Sequence, residues 1–462
     1  MNAIIEKDFI LRAIRDNFDE ETYLVGGAVR DFLNEQNSND RDLLVLNVNV
    51  KEFSKRLAQF FDATFIELDP TNEIYRLVLK DKINYIDITK PLNNSVEEDL
   101  KHRDLTINSL AVNLKSGETI DPTNGKKDFH NKILRIYDEN SIIEDPLRLL
   151  RVFRFQAIYG FEIEQNTFEM IHRHAEKIVM PAVERKNYEI LKLFGGKFAH
   201  KAILAMDEAG ILEIIFPFVK EYKKVPPNTH HHLDLFHHLI ETVRQIQIIY
   251  EAADDEIRQH LESVDFGGFS RLAQLKFAGF LHDIGKFSTW TIEENGRHRF
   301  IKHDDVGAKI AKDFLAKSKF SKKQIAYFTE MIKYHIYPSS VMCSPDINDK
   351  IMMRFVRKME YNAIDIITLA KADRLSARGE AVTDEMVSTN LNNLTRLQNF
   401  YLEKKDTLHL EKLLTGEEIM EICAIPPSKK LGEIIKALNE AQLNGEVTNH
   451  SEAIDFAKKY KA

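Results

Sequence analysis

The sequence predicts an α+β chain: an N-terminal domain with a small mixed sheet, followed by domains that are helical almost to the end. Three observations predict this. Residues 1–140 alternate short β-rich runs with helical stretches. From Asp145 onward the apolar residues adopt a helical period, with Leu147, Leu150, Phe153, Phe155 and Ile158 marking one face. The two prolines in Lys220–Thr229 end the helical pattern before a histidine-rich segment begins.

The predicted strands are Thr22–Val25, Leu43–Leu46, Tyr75–Leu79, Tyr85–Ile88 and Leu110–Leu114. The predicted domains are 1–140 for the sheet-bearing head, 141–220 for a helical neck and body, 230–380 for a histidine-rich helical domain, and 381–462 for a helical tail. In the tail, Thr415 precedes Gly416, Glu417 and Glu418 as an N-cap with acidic residues in the first turn.

At 462 residues, with 44% hydrophobic and 29% charged residues, the chain is long enough for two to four domains and is neither disordered nor collagen-like. No apolar run is long enough to span a bilayer, and the N-terminus lacks a signal-peptide pattern, so a cytoplasmic protein without membrane contact is expected. Two cysteines cannot form a disulfide framework, which agrees with a reducing compartment. The formal charge of −8 excludes a protein that coats nucleic acid by bulk charge. A local basic stretch nevertheless runs from Arg148 to Lys201, with ten Lys/Arg against six Glu.

Two constellations carry chemistry. In the first, Gly26 and Gly27 follow a strand and precede Arg30, and Asp40 and Asp42 open the next strand. The strand period of two aims both aspartates at one side, where they can hold Mg²⁺ against a triphosphate. The glycines let backbone N–H groups approach phosphates, and Arg30 supplies a fork of donors. The segment resembles the polymerase β-like superfamily, and that resemblance implies a third carboxylate, for which Asp87, in Tyr85–Ile88, is the candidate.

This segment resembles the class II tRNA nucleotidyltransferases of the polymerase β-like superfamily. The resemblance continues through Glu97–Ala111, where it implies that Arg103, Asp104 and Asn108 address the incoming nucleotide, and through Asp121–Asp128, a hinge. It continues again in Glu144–Phe155. There Asp145 and Arg148, read as three apart on one helix, would present an acceptor beside a donor fork, which complements cytosine and adenine and rejects uracil and guanine. Arg151 and Arg154 follow at helical spacing toward the triphosphate or the tRNA end. Val183–Lys192 and Ala209–Pro217 extend the match.

The sequence departs from the family pattern at Asn34-Glu35, at His102, and in the short run from Lys90 to Ser95, where complete CCA-adding relatives carry a longer loop. That shortness favours CC addition over complete CCA addition. The implied substrates are tRNA, CTP and ATP. The alternatives are a poly(A) polymerase and a phosphohydrolase whose head merely binds tRNA.

The second constellation resembles an HD phosphohydrolase domain. The match implies His238, His282, Asp283 and Asp373 as ligands of a divalent transition metal, His303 and His335 as contacts to a second metal or to phosphate, and Lys286 as a phosphate contact. His230, His231, His232 and His237 read as a solvated run near the linker. Such a domain could hydrolyse phosphates at tRNA 3′ ends. In the tail, Leu414–Met420, Leu431–Ile435 and Ala441–Glu446 resemble the closing helical segment of these enzymes.

Overall fold

A computed structural model describes residues 2–34, 39–344, 347–406, 413–443 and 446–461. Glu35 of the Asn34-Glu35 departure, and Asn444 and Gly445 of the last tail motif, lie outside the described residues.

The head is built on one seven-stranded sheet. Its strands are β1 (Thr22–Val25), β2 (Asp40–Val45), β3 (Thr64–Asp69), β4 (Ile74–Val78), β5 (Tyr85–Thr89), β6 (Ala111–Asn113) and β7 (Thr119–Ile120), in the order β3-β4-β5-β2-β1-β6-β7. Only the β2–β5 pair is parallel, so the sheet is mixed as expected. Sequence reading missed β3 and β7. The edge strand β3 reads Thr-Phe-Ile-Glu-Leu-Asp and is exposed at most positions, so it carries no clean alternation, and β7 is two residues long.

One face of the sheet is covered by the helices Asn2–Lys7, Phe9–Asn17 and Val50–Phe60, which bury Ile10, Leu11, Ile14, Phe53 and Leu57 against Leu43, Leu77, Ile86 and Ile88. The period of two therefore sends Arg41 inward, where it pairs with Asp8 at 2.7 Å, and turns Asp40 and Asp42 to the opposite face. On that face, helix α1 (Val96–Lys101) lays Val96 and Leu100 over Tyr23, Val25, Leu44 and Ala111.

Helix α2 (Arg148–Tyr159) begins the neck, packing on α3 (Val183–Gly195). Leu147, Leu150, Phe153 and Phe155 are buried, but Ile158 is 39% exposed, so the predicted apolar face ends one residue early. Asp145 does not lie on this helix. Its φ/ψ of −134°/92° place it in extended backbone between two helices, with Arg148 at the first helical position. Pro146 imposes this, because it disfavours helical geometry in the residue before it.

The histidine-rich domain is formed by α4 (Leu235–Glu251), α5 (Arg271–Leu281), α6 (His303–Lys317), α7 (Lys322–Tyr334) and α8 (Ala363–Ser376), interrupted by a hairpin, Trp290–Ile292 with His298–Phe300, that the helical pattern did not predict. Its core is continuous with that of the neck and also holds Leu394, Leu397, Phe400 and Tyr401 of α9 (Asp384–Lys404). The last three helices, Gly416–Cys423, Lys429–Leu443 and His450–Lys461, bury a separate small core. Thr415 and Glu418 form a reciprocal capping box at the first of them, as the sequence predicted.

Two candidate metal centres

The head site gathers residues from β2, β4 and β5, from the turn after β1 and from the chain just after α1. Asp42 pairs across the sheet with Val25 of β1 on one side and Asp87 of β5 on the other, and ligand oxygens of Asp40, Asp42 and Asp87 lie within 4.8 Å of one another. Burial pushes the Asp42 carboxyl up to about 6; Arg103 opposes that shift, while Asp40 and Asp87 add to it. Three crowded carboxylates, one of them reluctant to ionise alone, suit a divalent cation. Asp87 is already held by a cation: Arg76 donates to both of its oxygens at 2.7 Å.

Gly26 sits where β1 turns into the helix Gly27–Leu33, at φ +71°. A Cβ there would lie 2.6 Å from Arg103 Nη1 and 3.3 Å from Asp42 Oδ2 and would displace the Arg103 tip, while the backbone conformation itself favours glycine. Arg103 is aimed by Asp99, which accepts from its Nε and Nη2 at 3.2 Å.

A chain of polar contacts ties head to neck. Tyr159 donates to Asp31 at 3.2 Å, Asp31 accepts from Arg30 at 2.7 Å, and Arg30 donates in turn to Asn108. Asn108 donates to Asp104 at 2.9 Å, and Arg151 donates to Asp104 at 2.7 Å. Burial alone would raise the Asp104 carboxyl, but Arg151, with the Asn108 amide and the Leu105 N–H, holds it at about 2. Arg30 is thus engaged by Asp31, by Asn108 and by the stacked rings of Phe155 and Tyr159, whose centroids lie 5.0 and 5.5 Å from its guanidinium.

At the head of α2, Asp145 accepts from Arg185 at 2.8 Å, while Arg148 Nη1 is buried with no hydrogen-bond partner. Arg154 pairs with Glu189 of α3 at 3.1 Å. The basic stretch is therefore largely offset: Arg151, Arg154, Arg173, Arg185, Lys197 and Lys201 all meet carboxylates.

In the helical domain, His238 comes from α4, His282 and Asp283 from the turn after α5, His303 from the start of α6, His335 from the end of α7 and Asp373 from α8. Nitrogens and oxygens of His238, His282, Asp283 and Asp373 lie within 4.8 Å of one another, and Asp283 joins His303 and His335 in a second group. Asp283 Oδ2 lies 3.2 Å from His282 Nε2, and Oδ1 lies 3.2 Å from His303 Nε2. The Nδ1–H groups of His282, His303 and His335 donate to the carbonyls of Gly279, Phe300 and Ile332 at 2.8, 2.8 and 2.7 Å. In the neutral rings this leaves every Nε2 lone pair aimed inward.

His238 Nε2, His282 Nε2 and Asp283 Oδ1 are buried without a regular hydrogen bond, and with Asp283 Oδ2, which Lys286 holds, they form a donor set that a pair of divalent cations sharing Asp283 would satisfy. Burial lowers the proton affinity of His282, but Asp283 and Asp373 outweigh it and raise the pKa to about 10, so without a cation a proton fills part of this role. Gly285 permits the convergence: a Cβ there would lie 2.0 Å from the His303 carbonyl oxygen.

Lys286 reaches Asp283 at 2.5 Å and also donates to His231 at 3.2 Å. His231 is therefore not part of a solvated run. It packs edge-on against His238 with ring centroids 4.9 Å apart, and burial, reinforced by Lys286, lowers its pKa to about 2. His230, His232 and His237 are exposed as expected. Sequence reading also missed Arg76 and Arg185. The signal for Arg76 was its place on the strand beside Asp87; that for Arg185 was its position in the Val183–Lys192 match.

Three families match consecutive parts of the chain: Poly A polymerase head domain over residues 22–135, Probable RNA and SrmB- binding site of polymerase A over 160–223, and HD domain over 235–378. The A-adding tRNA nucleotidyltransferase of Deinococcus radiodurans is 28% identical over 450 residues, 95% of each chain. With this resemblance over its whole length and the matched head and HD domains, the chain is a nucleotidyltransferase. The CC-adding tRNA nucleotidyltransferase of Thermus thermophilus is also 28% identical, over 95% of this chain and 93% of its own. Among solved structures, the Bacillus stearothermophilus CCA-adding enzyme in complex with CTP shares the fold with a TM-score of 0.64 at 20% identity, covering 99% of this chain and 98% of its own. No described helix of the nucleotidyltransferase is long and apolar enough to cross a membrane.

Proposed function

We propose that this nucleotidyltransferase adds CC to the tRNA 3′ end from CTP, without a nucleic-acid template, and that its HD domain hydrolyses phosphate esters at tRNA 3′ ends. The juxtaposition of Asp40, Asp42 and Asp87 beside Gly26 and Arg103 carries the first half of this reading. Asp40 and Asp42, with Asp87 beside them, would hold Mg²⁺, which when bound activates the primer 3′-hydroxyl and offsets charge on the triphosphate. The Gly26 turn and Arg103 cradle the phosphates. The Asp104–Arg151 pair holds the neck against the head, so that the base edge meets Asp145 and Arg148 while the triphosphate lies over the aspartates. Asp145, oriented by Arg185, offers a carboxylate acceptor, which suits the amino group of cytosine and repels the carbonyl of uracil. Arg154, braced by Glu189, backs this face of the neck.

The limit at CC rests on the connection after β5. Residues 90–95 make a single turn at Leu92–Asn94, fastened by Asn94 to Asn47 at 2.8 Å and by Asn93 to Glu98 at 2.8 Å, before Ser95 caps α1. A run this short supplies no long loop to switch the base pocket from C to A. Addition of A alone is the second reading, favoured by the Deinococcus relative.

In the HD domain, His238, His282, Asp283 and Asp373 would hold one divalent transition metal and Asp283, His303 and His335 a second. Lys286, fixed between Asp283 and His231, would contact the phosphate. The domain assignment that goes with this reading is 1–140, 141–220, 230–380 and 381–462.

The reading is tested by incubating the protein and Mg²⁺ with tRNA ending at the discriminator base or at CC, supplying CTP, ATP or both, and reading product lengths. Growth by two with CTP, and no A on either primer, is expected. A single A on the CC primer alone would establish the second reading, and growth by three or a long A tail would contradict both.

A further inference from the structure

The catalytic face of the head sheet has two unlike halves. Over β2, β1 and β6 it is roofed by Val96 and Leu100 of α1. Toward β5, β4 and β3 the same face carries Tyr85, which pairs with Asp40; Val78, which pairs with Tyr85; and Ile66, which pairs with Arg76. No described helix covers this half: Ile66 is 38% exposed, and Tyr85 and Val78 are part-exposed, whereas their neighbours on the opposite face, Leu77 and Ile86, are fully buried. The strip is apolar and aromatic, directly continuous with the carboxylates, and crossed by the Arg76 guanidinium, 5.4 Å from the Tyr85 ring.

The direction of the chemistry says what belongs there. The groups assigned to the incoming nucleotide, Gly26, Arg103, the Asp104–Arg151 pair and the neck, all lie on the β1 side of Asp42. In phosphoryl transfer the attacking and leaving oxygens are roughly in line through phosphorus. The oxygen–phosphorus bond to the primer forms at the α-phosphorus as the bond to pyrophosphate breaks, the hydroxyl proton passing to solvent or a carboxylate, so the attacking hydroxyl must approach from the side opposite the departing pyrophosphate, which is the β5 side.

We propose that the open strip Tyr85–Val78–Ile66 is the platform for the 3′-terminal nucleotides of the RNA primer, with a base against the Tyr85 ring and Arg76 beside the backbone phosphate. This rests on the nucleotidyltransferase reading of Asp40 and Asp42. Aromatic stacking tolerates any base, as a primer whose end changes after each addition requires.

Two experiments test it on the full-length protein. Tyr85→Ala, and separately Ile66→Glu on the exposed edge, should raise KM for tRNA lacking its CCA by about tenfold while KM for CTP changes by less than about twofold. Tyr85→Phe, which keeps the ring, should restore the wild-type value. In parallel, tRNA carrying a photoreactive 4-thiouridine as its terminal nucleotide should cross-link to residues 64–89. Cross-links confined to the neck, 148–195, with KM for tRNA unchanged in both variants, would overturn the platform. A wild-type protein that extends no tRNA would instead refute the nucleotidyltransferase reading, while the cross-links would still locate the RNA.

Discussion

Asp42→Ala should reduce nucleotide incorporation by at least about 10³-fold while leaving tRNA affinity within a few-fold of wild type. Asp42 is the middle member of the carboxylate row, flanked by Val25 and Asp87 across the sheet and close to the Gly26 turn. Its removal leaves Asp40 at the exposed strand start and Asp87 clamped by Arg76, neither placed to replace it. The side chain projects from a strand whose other face is fully packed, so the change does not open the core. The measurements are single-turnover incorporation of labelled CTP and filter binding of tRNA. A parallel loss of binding would assign Asp42 to RNA contact or to the fold rather than to the chemistry.

Asp283→Ala should strip the HD domain of metal while nucleotide addition continues at the wild-type rate. Asp283 belongs to both ligand groups, whereas each histidine belongs to one, so a single substitution dismantles both positions. Metal content by mass spectrometry should fall to near zero in Asp283→Ala and by about half in His335→Ala. The partners left behind are the buried imidazoles of His238, His282 and His335, with His303 and Lys286, and loss of the shared carboxylate leaves the Lys286 ammonium without its closest partner. A fall in melting temperature is therefore expected alongside. If CTP incorporation collapsed as well, without unfolding, the two centres would be coupled and the account of independent sites wrong.

What sequence alone revealed follows from the range of each interaction. Asp40 and Asp42 are two apart on a strand, so their shared face was readable from period alone, as was the Thr415 capping box, whose partner is three residues on. The separated HD residues were readable only through family resemblance, since helices from five parts of the chain bring them together. The pair Asp145 and Arg148 was misread as one helical face, because helical periodicity extends across Pro146 even though its ring forbids the geometry at Asp145. The pairings of Arg76 with Asp87, Arg185 with Asp145 and His231 with His238 went unread, although strand position marked Arg76 and the family match marked Arg185. Each is a contact between elements whose orientation is set by tertiary packing, and in isolation each residue resembles an ordinary solvated side chain.

The account stands or falls on one nucleotide bridging head and neck. A crystal structure of the protein with Mg²⁺ and a non-hydrolysable CTP analogue tests this most directly. The expected result places the triphosphate between the Gly26 turn, Arg103 and the Asp40–Asp42 pair, with the cytosine edge on Asp145 and Arg148. A triphosphate bound away from Asp40 and Asp42, or a base that makes no contact with the neck, would contradict it.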